Sequence, residues 1–249
     1  MKLFFYFLIV IFGSAAAQAQ NILVYTHNGE GYVHDNIEAS NKALAAFGRD
    51  NGYEIQFSDE PAVFTEDNLN GISLIIFNNT NNEAFYTSDQ RAAFKSYIEK
   101  GGAFTGIHIS TGSERDWPWF WEMQGGKFRS HPEFQEFEIK VIDSTHPSTS
   151  FMEDVWNWED ECYYFDHLNP AINILLAADL RTIDDPEKSN YPGSVFGNYH
   201  PLAWYHHFGN SRVFYTALGH RAAHYQDEFF LKHLFAGVKW ALGDVTSGI

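Results

Sequence analysis

The sequence Lys100-Gly-Gly-Ala-Phe-Thr-Gly-Ile-His108-Ile-Ser-Thr-Gly112 combines a helix end, a buried strand and a sharp turn with a histidine at its tip. In an open α/β sheet, such a turn lies at the carboxyl edge of a strand, where ligands bind. The same strand–turn–helix device presents a Ser or Cys nucleophile in other α/β enzymes. Because histidine is not an ordinary acyl-transfer nucleophile, the pattern favours a metal ligand or an acid/base at position 108.

Strand and helix patterns alternate on the amino-terminal side of this turn. The predicted helices begin at the caps Asp35 and Ser88, and Gly52 and Gly101 end them. This β-α-β alternation predicts a parallel sheet with right-handed crossovers. The predicted strands are the apolar runs Asn21–Thr26, Tyr53–Phe57, Ile72–Phe77 and Ala103–Ile107.

The second half of the chain is richer in strand patterns. Gly209 and Asn210 predict a tight turn between its last two strands, and a final helix is expected to end at Gly243. The later strands are predicted at Phe137–Val141, Ile172–Ala177, Leu202–Phe208 and Arg212–Leu218. The expected fold is therefore a single α/β domain over residues 20–249. It has a mostly parallel sheet, helices on both faces and an inserted antiparallel β section.

The first nineteen residues have the pattern of a secretory signal peptide. Lys2 precedes the apolar stretch Leu3–Phe12, and Ala17-Gln-Ala19 fits a cleavage site that leaves Gln20 as the mature start. We therefore expect an exported protein that is not inserted in a membrane after cleavage. Cys162 is the only cysteine, so no internal disulfide is expected, and a bacterial periplasm is the predicted location.

Charge and aromatic content limit the classes of partner. The formal net charge is −16, which argues against nucleic acid or anionic membranes and favours cation binding. Aromatic residues make up 17% of the chain, a content that suits either a sugar-binding cleft or a bulky core. The oligomeric state is left open by the sequence.

Several of the twelve histidines follow predicted strands. His108 and His220 end two such strands, and Glu161 lies in an aromatic segment where an unpaired carboxylate would be desolvated. With His131 they form a possible three-nitrogen, one-oxygen site for Zn²⁺ or a similar divalent ion. His131 equally fits a plain turn, and Glu161 equally fits a satisfied ion pair. Asn28-Gly-Glu-Gly31 is too short for a dinucleotide fingerprint, so no nicotinamide is expected.

The motifs occur together in a known family. The chain resembles the ThuA-like (trehalose-utilization) family over nearly its full mature length. The resemblance implies a flavodoxin-like, class I glutamine amidotransferase-like fold, with His108 in place of the nucleophilic cysteine and His220 beside it. Glutaminase chemistry is then excluded, because the thiolate is missing. The matching stretches are Val33–Asp35, Ala62–Thr65, Gly101–His108, Asp116–Trp119, Ser130–Pro132, Asp143–Ser148, His200–Trp204 and Phe214–His220.

The family is linked to the catabolism of trehalose and related disaccharides through 3-keto sugars. The resemblance therefore implies an exported carbohydrate-processing enzyme that acts on a glycoside or its 3-keto derivative. The expected metal ligands are His108, His131, Glu161 and His220, and His34 is the expected base. The remaining alternatives are a non-catalytic sugar-binding protein and a metal-dependent ester or amide hydrolase. The side chains expected to hold the sugar are Asn79, Trp117, Trp119 and Tyr163.

Overall fold

The computed structural model describes residues 20–187 and 197–244, so the predicted signal segment at 1–19 lies outside the described residues. The strands are β1 (Asn21–Tyr25), β2 (Glu54–Ser58), β3 (Ile72–Asn78), β4 (Ala103–Ile107), β5 (Lys127–Ser130), β6 (Gln135–Val141), β7 (Val155–Asp160), β8 (Tyr164–Asp166), β9 (Asn173–Asp179), β10 (Tyr199–Phe208) and β11 (Ser211–Thr216). The α-helices are α1 (Ile37–Asn51), α2 (Glu66–Leu69), α3 (Ser88–Glu99), α4 (Pro118–Gln124) and α5 (Glu228–Leu242).

One nine-stranded sheet carries the fold, in the order β2-β1-β3-β4-β11-β10-β9-β6-β7. The first five strands of this order run parallel, and β10, β9, β6 and β7 continue the sheet with antiparallel pairings. Strands β5 and β8 form a separate antiparallel pair. The expected fold class is therefore confirmed, including its antiparallel section.

The central strands are buried on both faces because helices cover the sheet from two sides. Along β1, Ile22 and Val24 belong to the core that includes residues of α1 and α5. Leu23 and Tyr25 belong to the opposite core, which includes residues of α3 and α4. Successive side chains of a strand point to opposite faces of the sheet, and here both faces are buried. The central strands are therefore continuous apolar runs and do not alternate between apolar and polar residues.

Most predicted elements are present with small shifts at their ends, and several short elements were not predicted. Strand β4 has the predicted bounds, whereas β11 ends at Thr216 instead of Leu218. Thr87, not Ser88, caps α3. Its side-chain oxygen accepts from the backbone N–H of Gln90, and the side-chain oxygen of Gln90 accepts from the backbone N–H of Thr87. Gly209 and Asn210 form the predicted turn between β10 and β11. The short strands β5, β7 and β8 were not predicted.

The turn after β4 is held in a conformation that few side chains adopt. His108 has a φ of 52° and is fully buried. A Cβ at Gly106 would lie 2.5 Å from both the Gln124 and the Ser110 side chains, so glycine is needed there. The Tyr215 hydroxyl donates to the His108 carbonyl at 2.7 Å and fixes the turn from the neighbouring strand β11. Within the described residues, no helix is long and apolar enough to cross a membrane.

Candidate functional site

The imidazole of His108 has a defined tautomer. Its Nδ1 lies 2.7 Å from the Ala217 carbonyl oxygen, which can only accept, so Nδ1 carries the proton. The lone pair of Nε2 therefore points away from this carbonyl. A histidine held in this way by a backbone carbonyl has the usual orientation of a metal ligand.

Three more side chains direct polar atoms at this nitrogen. His34 Nε2 lies 3.2 Å and His220 Nδ1 lies 3.3 Å from His108 Nε2. Glu161 Oε2 lies 3.7 Å from the same nitrogen and 3.2 Å from His220 Nδ1. All four ligand atoms lie within 4.8 Å of one another. The predicted proximity of His108 and His220 is confirmed.

These four atoms fit a small divalent cation. A tetrahedral ion with ligands at about 2.1 Å separates neighbouring ligand atoms by about 3.4 Å, and the distances that join them to His108 Nε2 lie close to this value. His108 Nε2 has one lone pair, yet the Tyr163 hydroxyl at 2.6 Å and two imidazole nitrogens surround it. A cation among these atoms satisfies several lone pairs at once, which one hydrogen bond cannot do.

The pKa is lowered for the two buried histidines of the cluster and raised for the half-buried one. Burial lowers the pKa of His34 to about 4, with a further contribution from the charge of His220. Burial also lowers the pKa of His108 well below its usual value. Burial lowers the pKa of His220 too, but its hydrogen bond and charge interaction with Glu161 outweigh this and raise it. His34 and His108 are thus kept neutral, as metal binding requires.

Asp160, beside Glu161, holds the segment that carries His220. Its carboxylate accepts from the backbone amides of Gly219 at 2.8 Å, His220 at 3.3 Å and Glu161 at 2.9 Å. The indole of Trp158 donates to it at 2.9 Å. Asp160 therefore joins the end of β7 to the segment after β11. The sequence analysis missed this residue, although it stands next to Glu161 in the same motif.

Asn36 performs a similar task on the other side of the site. Its amide nitrogen donates to the Gly219 carbonyl at 2.6 Å and to the His220 carbonyl at 2.8 Å. Asn36 is the residue that precedes α1, and it makes no side-chain cap bond. The prediction that Asp35 caps this helix is wrong by one residue. The start of α1 is thereby fixed against the His220 segment.

The predicted ligand His131 lies outside the group of four, and His34 takes its place. His131 Nε2 is 3.6 Å from Glu161 Oε1, the oxygen that does not contact His108 and His220. His131 Nδ1 faces the Pro132 carbonyl at 2.8 Å, so it carries the ring proton and leaves Nε2 as an acceptor. The structure thus brings His34 into the group of four that could hold a metal ion, and His131 lies at the edge of this group.

A pocket of about 350 Å³ opens beside the cluster. Tyr163 lines it and packs its ring on His108, with ring centres 4.5 Å apart. Burial, followed by the charge of Glu161, raises the pKa of the Tyr163 hydroxyl well above its usual value, so it stays a donor. Besides Tyr163, the lining includes His34, His131 and Glu161 together with four residues that the sequence analysis missed, namely Tyr32, Asn81, Arg115 and Phe128.

The other predicted sugar-binding residues lie elsewhere. Asn79 is fully buried, and its amide bonds to Asn36 at 3.1 Å and to Asn78 at 2.9 Å. Trp117 and Trp119 stack on each other with ring centres 5.0 Å apart and pack against the second core. Among the described residues, none of these three lines the pocket beside His108. Their roles in sugar binding stay predictions.

Comparisons with known proteins agree with this architecture. A ThuA-like protein from Bacteroides uniformis is 20% identical, with a TM-score of 0.73 over 95% of this chain and 98% of its own. One from Parabacteroides merdae is 20% identical, with a TM-score of 0.67 over 93% of each chain. A Thermoplasma acidophilum protein described as a GMP synthase subunit is 12% identical, with a TM-score of 0.53 over 92% of this chain and 98% of its own.

These structural likenesses show the fold alone. No curated protein sequence matches the chain. The sequence model of the ThuA family, described as trehalose utilisation, matches residues 21–241 and so covers most of the chain. This protein therefore belongs to the ThuA family.

Proposed function

We propose that this protein is an exported, metal-dependent enzyme that eliminates the aglycone from 3-keto glycosides. The observation that carries the proposal is the convergence of His34, His108, His220 and Glu161 beside an open pocket. The family description, trehalose utilisation, supports a glycoside as the substrate class. A divalent ion held by these four side chains would act as a Lewis acid toward a carbonyl oxygen.

His131 is the side chain best placed to take a proton from a ligand in the pocket. It lines the pocket, and its Nε2 is free of the ring proton. In a 3-keto glycoside, the carbonyl acidifies the neighbouring C2 proton, so a histidine base can remove it. The resulting imidazolium lies 3.6 Å from Glu161 Oε1 and is stabilised by that carboxylate.

Tyr163 is suited to stabilise the charge that develops on the keto oxygen. Its hydroxyl remains protonated and points to the centre of the cluster, 2.6 Å from His108 Nε2. Once His108 uses its lone pair on a cation, this hydroxyl is free to donate to a ligand oxygen. A preorganised donor of this kind stabilises the enolate more strongly than the ketone.

The elimination then balances without an oxidant or a reductant. The electron pair of the C2–H bond passes into the enolate and then forms a C1=C2 double bond, while the carbonyl is restored. The C1–O bond breaks with its electron pair, and the aglycone oxygen receives the proton carried by the His131 imidazolium. The products are an unsaturated 3-keto sugar and a free alcohol or sugar.

Turnover of 3-keto-trehalose tests this function. The protein is chelated, reloaded with Zn, Mn or Ni, and assayed for released glucose and for the ultraviolet absorbance of the enone. We expect turnover only in the loaded protein, and a loss of about 100-fold or more in His131→Gln. The exposed His207→Gln variant is the matched control. Absence of turnover with every metal and every 3-keto glycoside tried would exclude the proposed reaction.

A further inference from the structure

A second pocket adjoins the one beside the metal ligands. It measures about 420 Å³, and Arg115 lines both pockets. The neighbours Asn81 and Asn82 line the first and the second pocket, respectively. Small-molecule pockets range over about 300–1,000 Å³, so both lie at the lower end, where one small ring fits each.

Arg115, which both pockets share, is held by two hydrogen bonds. Its Nε donates to the Gly112 carbonyl at 2.9 Å, and one Nη donates to the Asn81 side-chain oxygen at 3.3 Å. The guanidinium also lies 5.7 Å from the ring centre of Phe128. Arginine has five N–H donors, so Arg115 keeps donors for a ligand that extends from one pocket into the other.

The second pocket combines an aromatic ring with carboxylate groups that can accept hydrogen bonds. Trp117 is partly exposed there, and Asp116 is exposed beside it. Arg91 and Glu114, which also line it, neutralise each other in an ion pair of 2.6 Å. An indole suits the apolar face of a pyranose ring, and a carboxylate accepts from its hydroxyl groups.

The charge of this pocket selects against anionic ligands. Apart from the Arg91–Glu114 ion pair, the charged side chains that line the second pocket are the carboxylates of Glu83 and Asp116 and the guanidinium of Arg115. Among the described residues, the negative charges of this pocket therefore outnumber the positive ones. A phosphate or a carboxylate ligand would therefore meet net negative charge. A neutral polyhydroxylated ring meets acceptors, donors and an aromatic surface at the same place.

We propose that the second pocket binds the aglycone sugar of the substrate, so that the substrate is a neutral disaccharide that crosses Arg115. The assignment of the reacting ring to the first pocket rests on the proposed function. Trp117 then contacts the sugar from the neighbouring pocket and not from the pocket beside His108. Arg115 lies where the link between the two rings passes.

Isothermal titration with unmodified sugars tests this subsite without turnover. The parent is titrated with trehalose and with methyl α-glucopyranoside, which has a single ring. We expect trehalose to bind about ten-fold more tightly. Trp117→Ala should abolish that preference and leave the affinity for methyl α-glucopyranoside within about two-fold.

Asp116→Ala is the second variant, because its side chain is exposed and its removal leaves the core intact. It should weaken trehalose binding by about five-fold. Asp50→Ala, at an exposed position of α1, is the matched control. Equal affinity of the parent for the two sugars, or no trehalose binding at all, would overturn the subsite.

Failure of the subsite and failure of the reaction give different results. A trehalose preference that depends on Trp117, found together with no turnover of 3-keto-trehalose, keeps the subsite and removes the proposed elimination. Turnover of 3-keto-trehalose and of methyl 3-keto-glucoside with equal kcat/KM, unchanged in Trp117→Ala, keeps the reaction and removes the subsite.

Discussion

Two regions of this molecule hold histidines whose nitrogens face different kinds of atom. At the carboxyl edge of the parallel strands, nitrogens of His34 and His220 lie 3.2 Å and 3.3 Å from His108 Nε2. The nitrogens of His233, a buried residue of α5, face oxygens instead, with the Ser148 carbonyl at 3.0 Å and the Thr216 hydroxyl at 3.3 Å.

Burial alone does not distinguish the two regions. It lowers the pKa of both His34 and His233 to about 4. Oxygen partners satisfy a neutral imidazole, so His233 is complete as a packed side chain. When the lone pairs of several imidazole nitrogens face one another, the protons present cannot satisfy all of them. A bound cation would satisfy them together. The comparison teaches that the partner atoms, rather than burial or pKa, distinguish the candidate site from a histidine that is packed in the core.

The largest effect is expected from Glu161→Gln. This substitution keeps the size of the side chain but removes the only anionic ligand of the four. Zinc affinity should fall by more than about 100-fold, the upper end of what loss of a ligand's hydrogen-bond partner costs. Competition titration with a zinc chelator measures it. Glu159→Gln, exposed and two residues away, is the control and should bind zinc like the parent.

A smaller effect is expected from Asp160→Asn, which changes no ligand. The amide group of asparagine places a donor against the backbone amides that Asp160 now accepts from. Zinc affinity should fall by about 10–100-fold, and the free energy of unfolding by about 1–3 kcal/mol. Chelator competition and urea unfolding measure the two. Unchanged values, equal to those of the exposed control Asp154→Asn, would show that Asp160 does not position His220.

His233, the buried histidine of α5, should affect acid stability and not zinc binding. The pKa of His233 is about 4 in the folded protein, below its unfolded value of about 6.5. Between these values only the unfolded state takes up the proton, so stability is present above pH 6.5 and is lost as the pH falls toward 4.

Urea unfolding of the chelated protein at pH 6.5 and 5.5 tests this. His233→Gln should remove about 1 kcal/mol of the stability loss over that interval. Its zinc affinity at neutral pH should equal that of the parent. A variant that loses as much stability as the exposed control His207→Gln would show that His233 is not kept neutral by burial.

The smallest effect on zinc is expected from His131→Ala, because its Nε2 faces Glu161 Oε1, whereas Glu161 Oε2 is the oxygen that faces His108 and His220. Zinc affinity should stay within about two-fold of the parent, although the proposed base is removed. Chelator competition measures the affinity. A loss as large as that of Glu161→Gln would place His131 among the ligands and contradict the arrangement described above.

Much of the fold was predictable because its signals are local. Strand β4 is an apolar run between a glycine pair and a strained turn, and both of its ends were predicted. The cap of α3 was misplaced because Thr87 and Ser88 both cap helices, and only Gln90 at the third helical position decides between them. Strands β5, β7 and β8 are short or half-exposed, so their sequences contain no continuous apolar run from which a strand could be predicted.

The site was predictable in part. His108, His220 and Glu161 were found because each directly follows a strand signal or stands in an aromatic segment. His34, predicted as the base, lies in the group of four, and His131, predicted as a ligand, lies at its edge, because spacing alone does not show which loop reaches the cluster. His34 lies between β1 and α1, at the carboxyl edge of the parallel sheet, whereas His131 follows β5, which is not part of that sheet. Membership of the parallel sheet was the missing signal.

The central claim is that His34, His108, His220 and Glu161 bind one divalent ion. A crystal structure of the zinc-loaded protein, with anomalous data at the zinc edge, tests it most directly. The account predicts one strong peak within about 2.3 Å of His34 Nε2, His108 Nε2, His220 Nδ1 and a Glu161 oxygen. Absence of a peak at this place, or a peak bound by His131 in place of His34, would contradict it.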